Sequence, residues 1–180
     1  MSSDGALVAE LFAAYGTVLD PWQVDALDAG LGRDEAGDWT ARTVGISTAR
    51  QSGKTVVLVA RALAGALLFG EKTVCIAAHE VRTSKVAFNQ LAAIFENYAD
   101  LSLRVKSIIR AIGREEIVLV DGTRILFTSR SRNTLRGYSI DSYLSDESQL
   151  VTPEQWESVL PALSARKNSS AWLFGTAPQQ

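Results

Sequence analysis

Apolar residues along the first 70 positions change period twice. Residues 5–18, "GALVAELFAAYGTV", repeat at helical spacing, and "LDPWQVDALDAG" follows with Asp20 placed as an N-cap and Pro21 at the first helical position. Two short helices are therefore expected before the core. "DEAGDW" reads as an exposed turn, and the β-branched "TARTVGIST" after it suits a buried strand. From about Gly53 to Phe69 the spacing is helical again, with Gly70 as the stop.

The alternation continues downstream. "KTVCIAAH" predicts a second buried strand, "EVRTSKVAFNQLAAIFENYA" an amphipathic helix, and "EEIVLVDGTRILFTS" a hairpin around the Asp121-Gly122 turn. "SIDSYLSDES" predicts a strand ending at an acidic pair, "TPEQWESVLPALSA" a helix capped by Thr152 with Pro153 at its start, and "AWLFGTA" a last strand. Strands alternating with helices require crossover connections, so the expected fold is α/β with a mostly parallel central sheet flanked by helices. Such sheets carry ligands at the carboxyl ends of their strands.

With 180 residues, 47% of them hydrophobic and 21% charged, the chain has the composition of a single globular domain. It divides into an N-terminal helical segment over 1–40 and a core over 41–180. The longest apolar stretch, "TVVLVARALAGALLFG", is interrupted by Arg61 and is too short to span a bilayer. Cys75 is the sole cysteine, and the N-terminus lacks the basic-then-apolar pattern of a signal peptide, so an intracellular setting is expected. The net charge of -2 argues against a chain that coats nucleic acid by itself. A local site shared among subunits is compatible with that charge, and the densest basic stretch, "RVKSIIRAIGRE", supplies Arg104, Lys106, Arg110 and Arg114. A solvated basic face is an equal reading of those four.

Chemistry concentrates at two strand ends. Thr48-Ala49-Arg50-Gln51-Ser52-Gly53-Lys54-Thr55 carries the Gly-Lys-Thr ending of a phosphate loop, with Thr48 where the pattern has its first glycine. In such a loop, backbone amides at a helix N-terminus cradle phosphates, the lysine meets the β and γ phosphates, and the hydroxyl ligates Mg²⁺. Lys54 and Thr55 take those roles. Arg50 places a cation where γ-phosphate charge would lie; the plainer reading is an exposed arginine paired with a carboxylate. Asp146 and Glu147, at the second strand end, suit a metal-holding and a water-activating acid, and strand alternation would point them apart. Gln23 has an amide that matches the edge of adenine, and Thr176 ends the last strand where γ-phosphate could be sensed. His79, Cys75 and Trp39 read as structural, with no zinc spacing.

The ordered set "PWQ", "STARQSGKT", "LRGYSID", "YLSDES" and "FGTAP" resembles the ATPase half of the large terminase subunit of tailed bacteriophages, from about Pro21 to Pro178. The resemblance implies a RecA-like P-loop domain with an additional strand between the phosphate loop and the acidic strand. It implies an arginine-bearing loop that tolerates Thr48, with Arg50 part of the chemistry. It implies Gln23 as the adenine contact, Lys54 and Thr55 as phosphate and metal contacts, Asp146 and Glu147 as metal-holding and catalytic acids, and Thr176 as the coupling residue. Arg136 matches a position that reaches into a neighbouring subunit's site, with Arg130 and Arg132 competing for that role. The implied cofactors are ATP and Mg²⁺, and the implied partners are double-stranded DNA, the portal protein, the small terminase subunit and further copies in a ring, read as a pentamer. The implied setting is the host cell cytoplasm during viral assembly. The family's nuclease half has no counterpart in these residues, so no DNA cleavage is expected of them. A helicase-like RecA-type ATPase shares "Q…GKT…DE" but needs a second lobe, and a non-hydrolysing nucleotide regulator would lack the acid that stands here as Glu147.

Overall fold

The computed structural model describes residues 2–79, 81–130, 135 and 137–177, with the side chains of 81–83 excepted. Arg132, Arg136 and Pro178 lie outside the described residues. Two short strands, β1 (Ser2–Ser3) and β2 (Gly32–Arg33), pair antiparallel and bracket helices α1 (Gly5–Ala14) and α2 (Pro21–Gly30). In α2 the Asp20 cap and Pro21 start are as expected, and Gln23 completes a capping box by accepting from the Asp20 N–H at 2.8 Å.

The core runs β3 (Thr43–Thr48), α3 (Lys54–Leu67), β4 (Thr73–Ala78), α4 (Val81–Asn97), α5 (Ala99–Ser102), β5 (Val105–Ile109), β6 (Glu116–Leu119), β7 (Arg124–Ser129), β8 (Ser142–Ser145), α6 (Pro153–Ser164) and β9 (Ser170–Thr176). Seven strands form one sheet in the order β3-β9-β8-β4-β7-β6-β5. The five from β3 to β7 are parallel, and β6 and β5 extend the sheet antiparallel. The last strand in sequence, β9, is thus inserted between the phosphate-loop strand β3 and the acidic strand β8, which is the additional strand the resemblance implied.

Alternation along β4 shows how the layers form. Val74 and Ile76 join the larger apolar cluster with α1, α2, α3 and α4, while Cys75 and Ala77 face a smaller one with Val159, Ala162 and Leu163 of α6. Every residue of β4 is buried, as a parallel strand covered on both faces must be. Helix α3 is buried from Val57 to Ala66, Arg61 included. Arg61 donates to both carboxylate oxygens of Glu71, at 3.0 and 2.7 Å, and to Ser170 Oγ at 3.2 Å, while Ser142 Oγ donates to Glu71 at 2.8 Å. That network ties α3 to the starts of β8 and β9, at the opposite end of the sheet from the phosphate loop.

The basic stretch is in part structural. Its first half is the edge strand β5, which the sequence reading did not predict, and Arg110 pairs with Glu96 at 2.6 Å and lies 5.5 Å from the Phe88 ring. Arg104, Lys106 and Arg114 are exposed. No described helix is long and apolar enough to cross a membrane.

Candidate functional site

The loop from Ala49 to Gly53 joins the end of β3 to the start of α3, and it is shaped by two residues with positive φ, Gln51 (58°) and Gly53 (88°). Gly53 is the residue type that takes this conformation freely, whereas Gln51 adopts it at a cost of about 1–2 kcal/mol. Among the described residues the N–H groups of Gly53, Lys54 and Thr55 have no backbone carbonyl partner, while that of Val56 donates to the Gly53 carbonyl at 3.0 Å, which makes this end of a long helix a natural anion cradle. Thr48 stands where a phosphate loop has its first glycine, and its hydroxyl is hydrogen bonded to that of Ser52. Ser52 Oγ also donates to the Ala49 carbonyl at 2.8 Å, and Lys54 Nζ donates to the same carbonyl at 2.9 Å. A hydroxyl at position 48 thus bridges the two ends of the loop.

Gln23 is 3% exposed, and its amide is engaged at both ends: Oε1 accepts from Asp20, and Nε2 donates to the Gly53 carbonyl at 3.2 Å. The residue expected to read adenine therefore holds the phosphate loop in this structure. Arg50 is exposed and forms no ion pair among the described residues, so the reading of it as the partner of a nearby carboxylate finds no support in the geometry. Thr55 sits in the first turn of α3.

Asp146 and Glu147 lie past the end of β8, at Ser145, so strand alternation is not what separates them. Glu147 instead takes a left-handed conformation (φ 51°, ψ 45°), which a side chain other than glycine adopts only when its surroundings hold it. Asp146 Oδ1 accepts from the Glu147 N–H at 2.8 Å, and the Asp146 N–H donates to the Ala77 carbonyl of β4 at 2.9 Å. Burial pushes the Asp146 carboxyl above the ordinary carboxylate range, against the opposing effects of the Glu147 N–H, Lys54 and Arg130. Lys54, at the start of α3, lies near enough to Asp146 for its charge to oppose that shift, so the loop and the acid are at the same end of the sheet.

Thr176 completes the arrangement through register. It pairs with Thr48 across the β3–β9 ladder, and the Ala177 N–H donates to the Thr48 carbonyl at 3.1 Å. Its own N–H donates to Gln149 Oε1 at 3.1 Å. Gln149 belongs to a 3-10 turn (Ser148–Leu150) directly after Glu147, so one amide side chain ties the acidic turn to the end of β9. Nothing in the sequence marked Gln149. The donors available to Mg²⁺ are hard oxygens, the Thr55 hydroxyl and the Asp146 carboxylate, and they fit an ion that keeps several waters and takes few protein ligands. Among the described residues no cluster of three or more histidines, cysteines or acids is assembled.

No protein-family model matches the sequence, and no curated protein matches it. Solved structures do. The HK97 bacteriophage large terminase superposes with a TM-score of 0.80 at 18% identity, over 96% of this chain and 38% of that one. The large terminase ATPase domain of Thermus phage P74-26 gives 0.71 at 19% identity, over 95% and 70%. The fold is that of large-terminase ATPase domains. A large terminase from a thermophilic bacteriophage, solved in complex with ADP, gives 0.55 at 18% identity over 73% of this chain and 33% of that one. This chain thus spans 38% of the HK97 protein and 33% of the thermophilic one. The mostly parallel sheet and the helices that flank it are the features it shares with a large-terminase ATPase domain at low sequence identity.

Proposed function

We propose that the chain is the ATPase motor domain of a viral large terminase, hydrolysing ATP to drive double-stranded DNA into a procapsid. The observation that carries this reading is the convergence of Lys54, Asp146, Glu147 and Thr176 at the carboxyl ends of β3, β8 and β9, around a left-handed loop that opens onto a helix N-terminus. Lys54 would exchange the Ala49 carbonyl for phosphate oxygens. Thr55 and Asp146 would hold Mg²⁺, which when bound supplies positive charge to the phosphates. Glu147 would orient and deprotonate the attacking water, and Arg50, exposed in the loop and without an ion pair among the described residues, would stabilise transition-state charge. Gln23 would contact adenine by giving up one of its present partners. Arg136 is proposed to complete a neighbour's site in a homo-oligomeric ring, and the portal protein and small terminase subunit are proposed as further partners. No nuclease activity is proposed for these residues.

DNA contact is proposed at the far edge of the sheet, where β5 lies six strand spacings from β3, roughly 29 Å away. Arg110 is already paired with Glu96, which leaves Arg104, Lys106 and Arg114 as backbone contacts. The test is salt dependence. Replacing those three by alanine is expected to weaken DNA binding without regard to sequence and to flatten the slope of log affinity against log salt by about 3. An unchanged slope would make the stretch a solvated face.

A further inference from the structure

Arg130 follows β7 and is 8% exposed, beside the acidic pair. Both of its terminal nitrogens donate to the carbonyl of Glu147, each at 3.2 Å, while its Nε has no partner among the described residues. The Leu150 N–H donates to that same carbonyl at 3.0 Å. On the other side of Glu147, its N–H is held by Asp146 Oδ1 at 2.8 Å. The two peptide planes that flank Glu147 are therefore both fixed, and with them its left-handed φ and ψ and the direction of its side chain.

Arg130 is itself anchored. Its N–H donates to the Ala78 carbonyl of β4 at 3.1 Å, and its carbonyl accepts from Gln155 Nε2 at 2.9 Å. Gln155 is the third residue of α6 and closes the capping box with Thr152, so the guanidinium is braced from the sheet on one side and from a helix start on the other. A buried guanidinium directed at a main-chain carbonyl, with two carboxylates close by and neither of them ion-paired to it, is placed to hold backbone rather than to neutralise an acid.

We propose that Arg130 is a positioning residue acting within its own subunit, clamping the Glu147 carbonyl so that the Glu147 side chain is presented to the attacking water. The inference rests on the ATPase reading of this site. It separates Arg130 from Arg136: the first acts through Glu147 of the same chain, the second is assigned to a neighbour's site. An acid displaced by about 1 Å costs on the order of 100-fold in rate while leaving phosphate contacts in place, so the defect belongs in turnover rather than in nucleotide affinity.

The test measures ATP turnover and affinity for a fluorescent ATP analogue with Mg²⁺ in the parent chain, Arg130→Ala and Arg130→Lys, and then turnover in an equimolar mixture of Arg130→Ala with Glu147→Ala. Expected are a turnover at least tenfold below the parent for Arg130→Ala, an affinity within about threefold of it, and partial recovery in Arg130→Lys, whose ammonium can still donate to the carbonyl. The mixture should be no more active than its parts, because no subunit then holds both groups. Recovery in the mixture would assign Arg130 to a neighbour's site and overturn the proposal. So would parental turnover in Arg130→Ala, or an affinity that falls as far as the rate in both variants. A parent chain that binds the analogue and turns over no ATP would overturn the ATPase reading first and the Arg130 role with it.

Discussion

Asp146 sits where burial works against its charge, and its main compensation within the chain is a single N–H from Glu147. A carboxylate held in this way is less stable than a neutral isostere that keeps the same hydrogen bond. Asp146→Asn is therefore expected to raise the melting temperature of the nucleotide-free protein by about 2–4 °C and to abolish the further rise given by Mg²⁺ with ATP. Thermal melts with and without ligand measure both. A fall in the melting temperature of the free protein would mean that the charge is structural. The residues of the phosphate loop and the acidic pair were readable in the sequence because their chemistry demands particular types at particular spacings. Arg130, Gln149 and Gln155 were not, since they act through backbone groups brought together by the fold, and a lone arginine or glutamine carries no spacing that announces such a partner. The geometry of Glu147 was also illegible: strand alternation was the reasonable expectation for two adjacent acids, and the strand stops at Ser145, before either of them.

Elements with a long apolar period were predicted closely, α2, α3, β4 and β9 among them, because each buries a face whose spacing is set by its own backbone. Strand β5 escaped notice because its lysine and flanking arginines gave the segment the look of a charged surface, while the edge of a sheet tolerates such residues and is protected by them. Arg61 likewise read as an interruption of an apolar run. In the fold it is the centre of a network with Glu71, Ser142 and Ser170, surrounded at 5.3–5.6 Å by the rings of Trp39, Phe69 and Trp172. Removing one partner leaves the other charge buried and alone. Glu71→Ala should cost about 3–5 kcal/mol in urea unfolding, and a loss below about 1 kcal/mol would show that water replaces the carboxylate without penalty. Gly65 belongs to the same assembly: a Cβ there would collide with Glu71 Oε2, so the helix must be bare where the carboxylate crosses it.

The whole molecule is a sheet with its phosphate loop near one edge, a basic hairpin at the other and the acidic strand between them. Order along the sheet was the least legible feature, because β9 comes last in the chain yet lies beside the first core strand, and only the crossover rules and the terminase resemblance hinted at it. Burial across both faces can be followed with Cys75, which is fully buried and whose thiol burial pushes up to about 12. A thiol reagent should leave the native protein unlabelled at neutral pH and react only as unfolding exposes β4; rapid labelling under native conditions would mean that the central strand opens locally. At this scale the proposed function amounts to an ATPase site on the sheet that is completed between subunits. It is tested most directly by steady-state ATP hydrolysis over a wide range of protein concentration, for the parent chain and for Glu147→Ala. A site completed between subunits gives a rate that rises faster than linearly with concentration in the parent and no turnover in the variant. A rate strictly proportional to concentration would contradict completion between subunits, and turnover that survives in Glu147→Ala would contradict the site itself.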